Sequence, residues 1–201
     1  MDTTQTTQTQ TDNSKAAAPA KTAANVKQMA LIALMAAVIC ILAPWSFTIP
    51  ISVVPLTLGS MAVYFAVTVL GMKRGVFSVL LYILIGLVGL PVFSNFTGGA
   101  GKLFGPTGGY IIGYIFLALI LGYFVDRCNS HPVWNAAGAI LGTIVLYLFG
   151  TVWLALQMHL TFKAALWAGV IPYIPGDVVK LIIATVLGIT LRKRLIQANL
   201  L

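Results

Sequence analysis

The chain has 201 residues, of which 59% are hydrophobic and only 8% charged, with 12 Lys and Arg against 4 Asp and Glu and a formal net charge of +8. Soluble domains run at about 45–50% apolar and about 25% charged, so a mean hydropathy of +0.97 marks an integral membrane protein. The apolar residues fall into several separate runs, which leaves no room for a second soluble domain or an energy source of its own, and the basic residues sit at run ends rather than on one face with interleaved aromatics, which excludes a nucleic-acid binder.

Residues 1–27, MDTTQTTQTQTDNSKAAAPAKTAANVK, hold almost no large apolar side chain and are expected to form a disordered polar tail, because nothing in them offsets the entropy of ordering. A cleavable signal needs an apolar core directly after its basic start, whereas the first apolar run begins only near Gln28. Six spans follow, at about 28–43, 53–71, 75–92, 108–125, 135–157 and 177–191, each near the roughly 20 residues a bilayer requires. They predict an all-α fold over 28–195, an integral membrane bundle of six transmembrane helices, with 196–201 as a short cytoplasmic end.

The first span carries Ala33 and Ala37 four residues apart, with Ala30 and Ala36 on neighbouring faces. Small residues at that spacing let a second helix approach closely, either a partner's or one of the same bundle. Cys40 in this span and Cys128 in a later loop lack metal-site or disulfide spacing.

Between spans three and four lies FTGGAGKLFGPTGGY, Phe96 to Tyr110. It fails as a phosphate loop, since Gly101-Lys102 is followed by Leu103 and the first glycine of that motif is replaced by Phe96. Its glycines do free the backbone to approach a ligand and expose N–H donors; a flexible outer loop is the alternative.

The stretch LTFKAALWAGVIPYIPG, Leu160 to Gly176, is interrupted by Lys163, Pro172 and Pro175 and reads as an outer-surface helix followed by a turn rather than a seventh span. Charge placement agrees. With six spans and both termini inside, Lys15, Lys21, Lys27, Lys73, Arg74, Arg127, Arg192, Lys193 and Arg194, nine of the twelve basic residues, fall on the inner side, as the positive-inside rule requires. This is the expectation for a multi-pass protein of a bacterial-type cytoplasmic membrane.

Asp177 and Lys180 stand one helical turn apart at the start of the last span, where each charge costs about 2.5–3.5 kcal/mol even on the mildest scale. Pro175 and Gly176 give that helix a sharp start and set Asp177 at its positive end. The pair is either a self-satisfied ion pair near the interface or a ligand site open to the outer face. No catalytic constellation accompanies it: there is no HExxH, His131 and His159 are isolated, and two of the four acidic residues, Asp2 and Asp12, lie in the tail. Neither a catalytic centre, a metal nor a cofactor is expected.

Three motifs in order, GLPVF (Gly89 to Phe93), GPTGGY (Gly105 to Tyr110) and PYIPGDVVK (Pro172 to Lys180), resemble the BioY family, the biotin-binding S components of energy-coupling factor transporters, over about 28–195. The resemblance implies capture of biotin outside and its transfer to a module of one transmembrane coupling subunit and two ATP-hydrolysing subunits. It assigns Ala33 and Ala37 to docking on the transmembrane partner. Many members read P-x-T-L-Q where this chain has Pro55-Leu56-Thr57-Leu58-Gly59, which leaves Gly59 out of the site.

For biotin, a carboxylate and an ammonium roughly 5.4 Å apart on one helix face match the adjacent N–H and C=O of a ureido ring. The expected contacts are Asp177 to a ureido N–H, Lys180 to the ureido oxygen, and Asn95 completing the ring's hydrogen bonds. The tail carboxylate then meets backbone N–H groups near Gly108 and Gly109, the Tyr110 hydroxyl, or Lys102; in the competing pose it meets Lys180. Phe93, with Trp45, Phe47 and Phe96, is a candidate to cover the bicycle. An S component for another vitamin and a membrane-embedded enzyme are the alternatives.

Overall fold

A computed structural model describes residues 25–47, 54–128, 131–198 and 200. The expected tail therefore lies outside the described residues except for its last three, which begin the first helix. The chain runs α1 (Asn25–Leu42), a two-residue hairpin of β1 (Ser46–Phe47) and β2 (Leu56–Thr57), then α2 (Gly59–Leu70) and α3 (Met72–Leu87). A 3-10 turn (Ser94–Phe96), α4 (Ala100–Leu103), α5 (Gly108–Arg127), α6 (Pro132–Met158), α7 (Phe162–Gly169), a second 3-10 turn (Ile171–Tyr173) and α8 (Ile174–Gln197) complete it.

Among the described residues, four stretches are long and apolar enough to cross a membrane: α1, α5, α6, and the run from Phe162 to Gln197 that contains α7 and α8. The last is not one rod. Val170 leaves helical geometry at φ −131° and ψ −58° and a 3-10 turn intervenes, as Pro172 and Pro175 foretold. A short helix does stand where one was expected between the last two spans: α7, whose Thr161 side chain accepts the Ala164 N–H at 3.4 Å as an N-cap.

The second span is shorter than its apolar run. Its helix starts at Gly59 rather than near residue 53, because Pro55 opposes helix and the next two residues pair with β1 in the register Ser46↔Thr57, Phe47↔Leu56. That truncation leaves the Thr57 carbonyl outside any helix and free to face the bundle interior.

Helices α2 and α3 meet at the single residue Gly71, with φ +81°, a value that glycine adopts without strain. The corner is pinned by Asp126 at the end of α5, whose carboxylate accepts the Met72 N–H at 2.9 Å. Here the backbones nearly touch: a β-carbon on Gly122 would lie 2.4 Å from the Met72 Cα. Because backbone cannot move aside as a flexible side chain can, Gly122→Ala is expected to cost about 1–3 kcal/mol. A clear drop in the thermal unfolding midpoint in detergent is the check, and an unchanged midpoint would contradict the packing.

The core lies between these helices, with Ile39, Val63, Tyr64, Val67, Tyr82, Phe93, Leu117, Leu121 and Leu154 fully buried. Helix α5 packs chiefly on α6 and α3, and α2 on α8. On α1 the inner side is Met35, Ala36 and Ile39, whereas Ala33 and Ala37 are exposed.

Candidate functional site

Helix α8 begins Ile174-Pro175-Gly176, and its first turn carries Asp177. Lys180, one turn on, points the same way, and its Nζ lies 3.0 Å from Asp177 Oδ1, with side-chain exposures of 10% and 13%. The two charges face the bundle rather than lipid. Lys180 Nζ also donates to the Thr57 carbonyl at 2.7 Å, the group freed by the late start of α2, and the Tyr147 hydroxyl of α6 donates to Asp177 Oδ2.

This cluster is one wall of a cavity enclosing about 630 Å³ of empty space, its open mouth included. Thr57 and Ser60 come from the β2–α2 segment, Tyr110 and Tyr114 from α5, Tyr147 from α6, Tyr173 from the turn before α8, and Tyr82 from α3. The aromatic side chains give it apolar walls, and the ion pair with Thr57, Ser60 and Ser94 supplies the polar groups, the usual make-up of a small-molecule site. The walls brace one another: Thr57 Oγ1 and Tyr114 Oη are 3.3 Å apart, and the Tyr173 hydroxyl donates to the Val54 carbonyl.

Of the residues singled out in the sequence, Asp177, Lys180 and Tyr110 line this cavity, and the others stand off it. Phe93 is fully buried and meets Tyr82 edge-on at 5.6 Å, in space left by Gly86, where a β-carbon would come within 2.2 Å of its ring. It packs against Tyr82, which lines the cavity, and does not line the cavity itself. Asn95 is exposed at φ 60°, its backbone N–H donating to Ser46 Oγ at 2.9 Å and its side chain accepting from the same hydroxyl, so that it ties the first 3-10 turn to the hairpin. Gly108 donates its N–H to the Gly105 carbonyl at 3.0 Å, and Gly109 makes room for Trp153; both act here in close packing. Lys102 sits on the short α4, partly buried, and desolvation pushes its ammonium pKa down. Trp45 and Phe96, both exposed, pair edge-on at 5.9 Å above the hairpin.

Thr57, Ser60, Tyr82, Ser94, Tyr114, Tyr147 and Tyr173 are cavity groups that sequence reading did not single out. Tyr110 and Tyr114 are four apart on α5 and so share a face, a signal that was present. Thr57 acts through its carbonyl, which side-chain identity does not reveal. Among the described residues, no group of three or more His, Cys, Asp and Glu is placed to hold a metal ion.

The sequence profile of the BioY family matches residues 13–197. The chain belongs to the BioY family. Similar BioY proteins include "Biotin transporter BioY2" of Lactococcus lactis, 33% identical over 171 residues, 85% of this chain and 93% of that one, and "Biotin transporter BioY" of Thermotoga maritima, 37% identical over 146 residues, 73% of this chain and 85% of that one. Among solved structures, the S-component for biotin from an ECF-type ABC transporter superposes with a TM-score of 0.79 at 31% identity, covering 84% of this chain and 92% of that one. The BioY family is one of transporter S components rather than enzymes, and with several long apolar helices this member is a multi-pass membrane protein.

Proposed function

We propose that this chain captures biotin and is the substrate-binding subunit for its uptake across the cytoplasmic membrane, with the Asp177–Lys180 pair reading the ligand. The observation that carries this reading is the incomplete use of that pair. A carboxylate offers about four acceptor sites and an ammonium three N–H donors. Asp177 accepts from Lys180 and Tyr147, and Lys180 donates to Asp177 and Thr57. An N–H donor and an oxygen acceptor can therefore join from the cavity without breaking the ion pair, and a ureido group presents that combination side by side.

In this reading α1, α2, α3, α5, α6 and α8 are the six crossings and both termini are cytoplasmic. The ends carrying Lys73, Arg74, Arg127, Arg192, Lys193 and Arg194 then face inward and the cavity faces outward. The energy would come from a transmembrane coupling subunit and two ATP-hydrolysing subunits, with Ala33 and Ala37 of α1 in the docking face. Asn95 and Lys102 reach the ligand only if the outer loops close over it; Gly108 and Gly109 serve the packing at the start of α5, whereas Tyr110 already stands at the wall.

Since every proposed contact lies within one chain, the purified protein should bind labelled biotin at equilibrium without ATP and without partners. Binding that appears only when ATP-hydrolysing subunits are added would refute the assignment. Binding of a different vitamin in preference to biotin would keep the architecture and remove the ligand.

A further inference from the structure

A second space, of about 560 Å³ with its open mouth included, lies between α6 and α8. Around it stand Ile140 and Ile144 of α6 and Ile174 and Val178 of α8, each 46–52% exposed, so the space opens sideways from the bundle. Tyr64 of α2 and Thr143 of α6 are the buried part of its lining, with their hydroxyls 2.6 Å apart. Thr143 gives its one proton to the Ala139 carbonyl at 2.6 Å, so Tyr64 is the donor between them. Both hydroxyls are satisfied within the protein, and the crevice presents hydrocarbon.

This crevice shares two lining residues with the ligand cavity, Tyr147 and Asp177, whose side chains are joined by the hydrogen bond from the tyrosine hydroxyl. That pair is the boundary between the two spaces. Tyr147 also packs against both apolar clusters of the core, which fixes its ring as well as its hydroxyl. The depth of the crevice identifies what fills it. Helix α6 has 27 residues, about 40 Å of helix against a hydrocarbon thickness of about 30 Å, and Ile140 to Tyr147 are its middle turns. The mouth therefore opens away from both headgroup layers. Water does not settle in an apolar space, and a void there forfeits the dispersion contacts of its walls.

We propose that this crevice seats an acyl chain of a bilayer phospholipid, and that Tyr147, latched by its hydroxyl to Asp177, is the seal that keeps the chain out of the ligand cavity. Without the seal, hydrocarbon would take the space the ligand needs and strip the polar surroundings from the Asp177–Lys180 pair. The proposal rests on the multi-pass membrane reading but not on biotin.

The test places the full chain in phosphatidylcholine bilayers that contain a phosphatidylcholine with a mid-chain diazirine, and maps the adducts after irradiation by tandem mass spectrometry. Ile140 and Leu141 are neighbours at one depth with exposures of 52% and 47%, as are Val178 and Val179 with 50% and 56%, yet only the first of each pair lines the crevice. Exposure alone predicts equal labelling within each pair. A seated chain predicts severalfold more adduct on Ile140 and Val178, and equal labelling would overturn the site. Wild type should carry no adduct on Ser60 or Tyr114 of the ligand cavity. Tyr147→Ala should bring adducts to both, and Tyr147→Phe, which keeps the ring but loses the latch, should bring fewer. Cavity adducts in wild type, or none in either variant, would overturn the seal. Ile140 and Val178 left unlabelled in a chain that is dimeric by native mass spectrometry would overturn the lipid in favour of a second copy. Should Tyr147→Ala fail to fold, Tyr147→Phe decides the seal by the same counts.

Discussion

Lys180→Met and Asp177→Asn are each expected to weaken biotin binding by about 2–3 kcal/mol, roughly 30- to 150-fold in Kd, because each leaves a desolvated polar group of the ligand without its partner. Lys180→Met carries a second cost, since it strands the Asp177 carboxylate with only Tyr147 as donor, and breaking a buried pair on one side destabilises by about 3–5 kcal/mol. The double variant Asp177→Asn with Lys180→Met removes both charges at once, so it should recover much of the lost thermal stability and none of the lost affinity. That split separates a ligand-reading pair from a merely structural one.

Biotin amide distinguishes the two poses. If Lys180 donates to the ureido oxygen, removing the tail charge changes nothing at Lys180, and biotin and its amide should lose equal affinity in Lys180→Met. If Lys180 holds the carboxylate, wild type should strongly prefer biotin and Lys180→Met should erase the preference. Isothermal titration of both ligands against both proteins reads the outcome. Variants that fold and bind as wild type does would reduce the pair to an interfacial ion pair and move the site elsewhere in the cavity.

The pair was visible in the sequence because two charges in an apolar run demand an explanation that most residues do not. The helices were visible for a related reason: lipid imposes length and hydropathy on each crossing. What stayed hidden depends on contacts distant in sequence. Tyr147 reads as one more aromatic residue of α6 until Asp177, thirty positions on, is found beside it. Thr57 reads as part of an apolar run, yet the pairing of β2 with β1 holds its carbonyl clear of α2 for Lys180. The glycines of the loop invite a reading as ligand-facing amides, whereas Gly108 and Gly109 are small here because Leu103 and Trp153 occupy the space a side chain would take.

Ala33→Leu and Ala37→Leu are expected to lower biotin uptake in cells about tenfold or more while leaving the Kd of the purified chain within about twofold. Both positions are exposed on α1, as are Ala30, Leu34 and Ile41 around them, whereas Ala36 is fully buried beside Met35 and Ile39. Lipid alone would accept leucine at an exposed site without cost, since acyl chains are as apolar as its side chain. A partner helix would not: close approach between membrane helices depends on small residues at the contact, and each added isobutyl group holds the backbones apart. The hydrogen bonds of Asp177 and Lys180 among the described residues go to Tyr147, Thr57 and each other rather than to α1, so bulk on the outer face of α1 should not reach the ligand. Ala36→Leu provides the opposite control, because overpacking the core side of the same helix should lower thermal stability and binding together. Uptake that is unchanged by leucine at Ala33 and Ala37, in cells that contain the coupling subunits, would make that face ordinary lipid-facing surface and would place the docking interface on another helix.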